Sequence, residues 1–224
     1  MSMLTNLDLI RRVPLFAMMT ASQAETLAGA VAKQRFKRGE MIVEQGSKSN
    51  ALSIILSGKA RVLMTDSKAR EVILASLNPG DYIGEMSLID NEPHSANVEA
   101  EVQTDVLVLG RDAFTRCLAE NTSISFAVMN GLVKRLRNAD RKIGSLALMG
   151  VYGRVANVLL EYAALDDRNQ MIIRDKISRQ DIAKMVGASR EMVSRVMKDF
   201  EEQGFIETQE NGAILVKDRR KVPR

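Results

Sequence analysis

Residues 178–200 read Ser-Arg-Gln-Asp-Ile-Ala-Lys-Met-Val-Gly-Ala-Ser-Arg-Glu-Met-Val-Ser-Arg-Val-Met-Lys-Asp-Phe, and no other stretch restricts the fold of this chain as tightly. Ile182, Ala183 and Val186 line one face of a first helix, Gly187 allows the positive φ of a tight turn, and Val193, Val196 and Met197 anchor a second helix. Ser189 stands at the N-cap of that second helix. Its other face carries Arg190, Glu191, Ser194, Arg195 and Lys198, a set that suits base edges and phosphates better than a core. The pattern predicts a helix-turn-helix whose second helix enters the major groove of duplex DNA. The plainer alternative is a solvated helix face on which Glu191 pairs with Arg195 at i,i+4.

Composition supports a duplex partner. Hydrophobic residues make up 46% of the 224-residue chain, enough for one large core or two small ones. Aromatic residues are only 4% and tryptophan is absent, so stacking platforms for single strands are poorly supplied. The net charge of +4 is a mild bias toward a polyanion. Cys117 stands alone, which excludes internal disulfides, four-cysteine zinc sites and self-contained iron–sulfur clusters, and implies a reducing cytoplasm. Residues 1–20 lack an apolar core with a cleavage pattern, and no membrane span is expected. His94 is the single histidine, no nucleophile has a plausible base, and no metal-ligand spacing occurs, so neither catalytic residues nor a metal site is expected. The methionines read as core packing.

Along the chain, residues 4–31 look helical, broken at Pro14, with Ser22 and Glu25 as a capping-box pair. Strand-like runs follow at 51–56, 60–64, 71–75 and 97–109, punctuated by Gly39, Gly46, Gly58, Pro79-Gly80 and Gly84, which predicts a compact antiparallel roll. Helical composition then runs from about Asp112 to Leu148. Within it Met129, Leu132, Leu136, Ala139, Ile143 and Leu146 alternate spacings of three and four, the seam of a homodimeric coiled coil. Gly150 and Gly153 mark an expected hinge. Residues 203–207 and 212–216 form a hairpin-like wing, and 217–224 read as a basic tail. The expected fold is α+β with three segments: a β-roll effector domain over 1–111, a dimerisation helix region over 112–149 and a winged helix-turn-helix over 150–224.

Three motifs in this order resemble the Crp/Fnr family of bacterial transcription regulators over essentially the whole chain. The first is Gly80-Asp81-Tyr82-Ile83-Gly84-Glu85-Met86-Ser87-Leu88 with Ser95-Ala96 downstream, similar to the phosphate-binding cassette of cyclic-nucleotide-binding domains. The second is the seam helix ending in Gly153-Arg154-Val155-Ala156, and the third is the helix-turn-helix itself. The resemblance implies base reading by Arg190, Glu191 and Arg195 in half-sites like TGTGA, and phosphate contacts from Arg179, Ser189 and Lys198. It implies an effector site built from Gly84, Glu85, Ser87, His94, Ser95 and Arg135. It also implies a palindromic duplex and RNA polymerase as partners, and action at the nucleoid of a bacterial cytoplasm.

Several positions depart from the family pattern. His94 stands where cyclic-AMP binders carry arginine, which replaces a planar two-donor fork with one donor at a loss of roughly 1.5–3 kcal/mol. Ala139 and Asp140 replace a hydroxyl pair that meets adenine. Weak cyclic AMP binding is therefore expected. Arg137-Asn138-Ala139-Asp140 has the Arg-x-x-Asp form of many cyclic di-GMP sites, although an ordinary helix ion pair gives the same spacing. No tightly bound cofactor is expected. A haem held by His94 and Cys117, as in the family's carbon-monoxide sensors, is the less favoured reading, since His94 reads as a surface or phosphate-facing residue and Cys117 as core. The segment 164–170, where family members meet polymerase, looks short. An effector-independent DNA binder and a nucleotide-binding module without DNA binding are the rival functions.

Overall fold

The computed structural model describes residues 5–167, 169–175, 177–209 and 211–217, so all of the tail expected over 217–224 except Lys217, and the start at Leu4, lie outside the described residues. The chain divides into two compact units, Met1–Arg135 and Leu136–Arg224.

In the first unit, Thr5 and Asp8 form a capping box for helix α1 (Asn6–Arg12). Pro14 ends it and opens a single 3-10 turn, Pro14–Phe16. Helix α2 (Ala21–Ala28) is capped by Thr20 and Gln23 rather than by the expected Ser22 and Glu25. Thr20 is extended and accepts from the Gln23 amide, so the same two-donor rule operates two residues earlier. Val31 belongs to a strand and not to the helical segment expected to reach it.

Eight antiparallel strands make the roll: β1 (Val31–Phe36), β2 (Met41–Val43), β3 (Ala51–Ser57), β4 (Ala60–Thr65), β5 (Glu71–Leu77), β6 (Tyr82–Ile83), β7 (Asn97–Ala100) and β8 (Thr104–Gly110). They form two sheets, ordered β1-β8-β3-β6 and β2-β7-β4-β5. The single extended run expected over 97–109 is two strands in different sheets. Ile55, Ala60, Leu77, Ile83, Val98 and Val106 close a core in the roll, while Leu52, Ile54, Leu107 and Leu109 meet Ile10, Phe16, Phe114 and Val128 in a second. Strand pairing brings Arg35 and Lys33 onto Asp105, and the Arg35 hydrogen bond leads in pulling that carboxyl down to about 2.

A short helix, α3 (Glu85–Asp90), follows β6, and α4 (Arg111–Glu120) and α5 (Thr122–Leu148) follow the roll. The expected continuous helix is interrupted at Asn121, whose φ of −130° and ψ of 94° are extended. Cys117 is buried on α4, where burial pushes its thiol up. The unit boundary falls inside α5.

The second unit continues along α5 into α6 (Val151–Tyr162), whose N-cap is Gly150. Gly153 lies inside α6 and its φ is not positive, so of the two glycines expected as a hinge only Gly150 lies in the break. Then come β9 (Ala164–Leu165), β10 (Met171–Ile173), α7 (Arg179–Val186), α8 (Arg190–Glu202), β11 (Ile206–Thr208) and β12 (Ile214–Val216). The wing strands β11 and β12 extend into a four-stranded antiparallel sheet ordered β11-β12-β10-β9. Val155, Leu159, Ile182, Val193, Met197 and Phe200 are all buried in one core under these helices. Among the described residues no helix is long and apolar enough to cross a membrane, and no group of three or more acidic, histidine or cysteine side chains could hold a metal ion.

Candidate nucleic-acid interface and effector pocket

The turn between α7 and α8 is set by backbone chemistry. Ser178 caps α7 by accepting from the Asp181 amide, and Gly187 ends it in the left-handed region at φ 62°. Ser189 then caps α8 by accepting from the Met192 amide at 3.2 Å. Once capped, α8 turns Val193, Val196, Met197 and Phe200 inward and leaves Arg190, Glu191, Ser194, Arg195 and Lys198 exposed. Arg179 is half-buried at the start of α7.

The exposed charges are arranged as donors and acceptors rather than as mutual pairs. Arg190 and Arg195 form no ion pair among the described residues, so the expected alternative of a Glu191–Arg195 pair is not made. Glu191 instead takes hydrogen bonds from its own backbone amide and from Ser189, which hold its carboxyl below the usual range. Lys198 approaches Glu202 at 3.5 Å, a weak exposed pair. Two unpaired guanidinium groups beside an ionised carboxylate can supply the forked donor that guanine accepts and the acceptor that cytosine meets.

In the first unit, Gly84 links β6 to α3 at φ 97°, and a Cβ there would lie 2.8 Å from the Ala51 carbonyl oxygen. That tight turn buries Glu85 to 1% exposure, with Oε1 accepting from Arg135 of α5 at 2.5 Å. Arg135 also donates to the Tyr82 carbonyl and lies 5.1 Å over the Tyr82 ring. Burial pushes the Glu85 carboxyl up, and Arg135 opposes that shift. The Tyr82 hydroxyl donates to the Val128 carbonyl, and Gly131 makes room for it.

Of the two readings of His94, surface or phosphate-facing, the first is overturned, because the side chain is buried at 8% exposure. The stretch around it is tied down by backbone bonds, from its amide to Ser47 and from the Gly46 amide to its carbonyl. Its Nδ1 shares a hydrogen bond of 3.1 Å with Ser87 Oγ, and burial holds the imidazole below its usual titration range. Arg111 donates to the carbonyls of Ser87 and Leu88 and so braces the end of α3. Two buried polar atoms in this cluster, Glu85 Oε2 and His94 Nε2, have no partner among the described residues. A ligand that donates to the carboxylate and bonds the imidazole would satisfy both.

The structure thus brings Gly84, Glu85, Ser87, His94 and Arg135 together. Ser95 is exposed beside them in sequence. Arg137 and Asp140 are exposed on the second unit's share of α5, and no ion pair joins them among the described residues. Of the expected seam, Leu132 is half-buried against the first unit's core, whereas Leu136, Ile143 and Leu146 are 63%, 64% and 54% exposed and Ala139 is exposed too. Sequence reasoning missed Tyr82 and Gly131 as supports of Arg135, and Tyr152, whose hydroxyl donates to Asp199 on α8.

Comparisons with known proteins identify both domains of the chain. A cyclic nucleotide-binding domain model matches residues 33–121, and a Crp-like helix-turn-helix domain model matches residues 153–222. The cAMP-activated global transcriptional regulator Vfr of Pseudomonas aeruginosa is 34% identical over 180 residues, covering 78% of this chain and 84% of that protein. The CRP-like cAMP-activated global transcriptional regulator of Mycobacterium tuberculosis is 27% identical over 220 residues, covering 97% and 98%. Among solved structures, the c-di-GMP responsive global regulator CLP of Xanthomonas campestris superposes with a TM-score of 0.76 at 22% identity, over 89% of this chain and all of that one, and shows the same fold.

Proposed function

Because this chain belongs to the Crp/Fnr family of DNA-binding transcription regulators with a cyclic-nucleotide-binding domain, we propose that it acts as a homodimer reading a palindromic duplex. The exposed apolar stripe of α5, Leu136, Ala139, Ile143 and Leu146 with Leu132 at its start, is the seam. Arg190, Glu191 and Arg195 read bases, while Arg179, Ser189 and Lys198 hold phosphates and fix register. The single observation that carries this reading is α8 itself: a capped helix with one buried face and, on the other, two arginines that form no ion pair among the described residues. Functionally the chain divides into effector domain, dimerisation helix and DNA-binding domain, with boundaries near residues 111 and 149. RNA polymerase is the further partner, the site of action is the nucleoid of a bacterial cytoplasm, and no catalytic role is assigned.

The effector is a cyclic nucleotide. Gly84, Glu85, Ser87, His94, Ser95 and Arg135 form its site, and the two unpartnered atoms at Glu85 and His94 favour an effector over effector-independent binding. By binding one arrangement of the dimer better than another, the effector would shift the population that presents two α8 helices one DNA turn apart. His94 gives cyclic AMP a weak hold. A cyclic dinucleotide is the second reading, favoured by Arg137 and Asp140, which share a helix face and form no ion pair among the described residues. Calorimetry with cyclic di-GMP on the wild type and Asp140→Ala separates the two effectors.

Selection from random duplexes tests the DNA reading. Wild-type protein should return a palindrome with TGTGA-like half-sites about ten base pairs apart, centre to centre. A selected pool without two-fold symmetry contradicts it.

A further inference from the structure

On α8, residues 191, 195 and 199 lie on successive turns of one face, so Arg195 stands between two carboxylates at i−4 and i+4. Either carboxylate could neutralise it. Neither does: Arg195 has no ion pair among the described residues. Glu191 is occupied by the Ser189 hydroxyl and its own amide. Asp199 accepts the hydroxyl of Tyr152, which reaches across from the first turn of α6.

We propose that Tyr152 is a positioning residue for DNA recognition, holding Asp199 away from Arg195 so that the guanidinium is free for a base. The inference rests on the reading of Arg195 as a base contact. The ring of Tyr152 is fixed independently of its hydroxyl, edge-on to Phe200 at 5.9 Å and 78°, and Phe200 packs on Phe205 at 4.9 Å. The hydroxyl stays a donor, because the Asp199 hydrogen bond and burial both push its ionisation up. A released Asp199 would pair with Arg195 one turn away, and DNA binding would first have to break that pair before the forked contact to guanine could form.

Tyr152→Phe removes the hydroxyl and keeps the ring. Its affinity for the duplex selected by the wild type should fall about twofold, the scale of one i,i+4 ion pair, with discrimination weakened by about that factor at the base pair that Arg195→Ala affects and unchanged at the one that Arg190→Ala affects. Melting curves report whether packing survives. Tyr152→Phe combined with Asp199→Asn should recover wild-type discrimination, because an amide does not neutralise the guanidinium; a merely structural hydroxyl would not be rescued in this way. A Tyr152→Phe variant with wild-type discrimination, or a loss that persists in the double variant, overturns the inference while Arg195→Ala still shows the base contact. Unchanged discrimination in Arg195→Ala overturns the base reading itself, and the role of Tyr152 with it.

Discussion

A single methyl group added at Gly131 would lie 1.9 Å from the Tyr82 hydroxyl, so the ring beneath Arg135 keeps its place only because residue 131 lacks a Cβ. Arg135 in turn holds one oxygen of the Glu85 carboxylate, whose other oxygen is buried without a partner among the described residues. The carboxylate was legible in sequence because it follows a glycine turn in a recognisable motif. Tyr82 and Gly131 were not, since contact between residues so distant in the chain leaves no local signal. His94 shows the same limit: an Asn-Glu-Pro-His turn suits a surface residue as well as a phosphate-facing one, and only the Ser87 bond and the backbone ties to Ser47 and Gly46 show it buried. A neutral imidazole offers a phosphodiester one donor, and arginine offers a charged fork. The combined substitution His94→Arg, Ala139→Thr and Asp140→Ser should therefore raise cyclic AMP affinity at least tenfold, about 1.4 kcal/mol, by calorimetric titration. Submicromolar binding of cyclic AMP by the unaltered chain would contradict this account of the pocket.

Helix α5 presents an apolar stripe that the single chain leaves uncovered, with Leu136 and Ile143 more than half exposed. Such a stripe at spacings of three and four is stable in water when a second copy covers it. Leu136→Asp would then bury an unpaired carboxylate between two helices, at a cost of several kcal/mol. Light scattering at micromolar concentration should show a wild-type dimer and a monomeric variant; a wild type that runs as a monomer overturns the seam. Elements of this kind, long and periodic or closed by Ser caps and a glycine turn, were readable in advance. Strands β1, β2, β6, β9 and β10 were not. β1, Val-Ala-Lys-Gln-Arg-Phe, exposes four consecutive residues and is a strand because its backbone pairs with β8 from Val31↔Leu109 to Phe36↔Thr104. The break at Asn121 likewise escaped notice, because the residues around it suit a helix on both sides.

At the scale of the whole molecule, each unit closes its own core, and each carries one chemically distinct site. The first holds a buried carboxylate and imidazole, each with one atom lacking a hydrogen-bond partner among the described residues, and the second displays on a capped helix arginines that form no ion pair among those residues. Family order in the motifs made this division legible, because a cassette, a seam helix and a helix-turn-helix in sequence specify the architecture more firmly than any one of them. In the proposed function α8 reads sequence while Arg179 only grips the backbone. Its most direct test is the affinity of wild type, Arg190→Ala and Arg179→Ala for a TGTGA palindrome and a scrambled duplex at one salt concentration, with cyclic AMP and cyclic di-GMP each added and withheld. Arg190→Ala should lose about 1–3 kcal/mol on the palindrome and nothing on the scrambled duplex, whereas Arg179→Ala should weaken both alike. Equal binding of the two duplexes by the wild type, or an Arg190→Ala variant that keeps the full preference, would contradict the account.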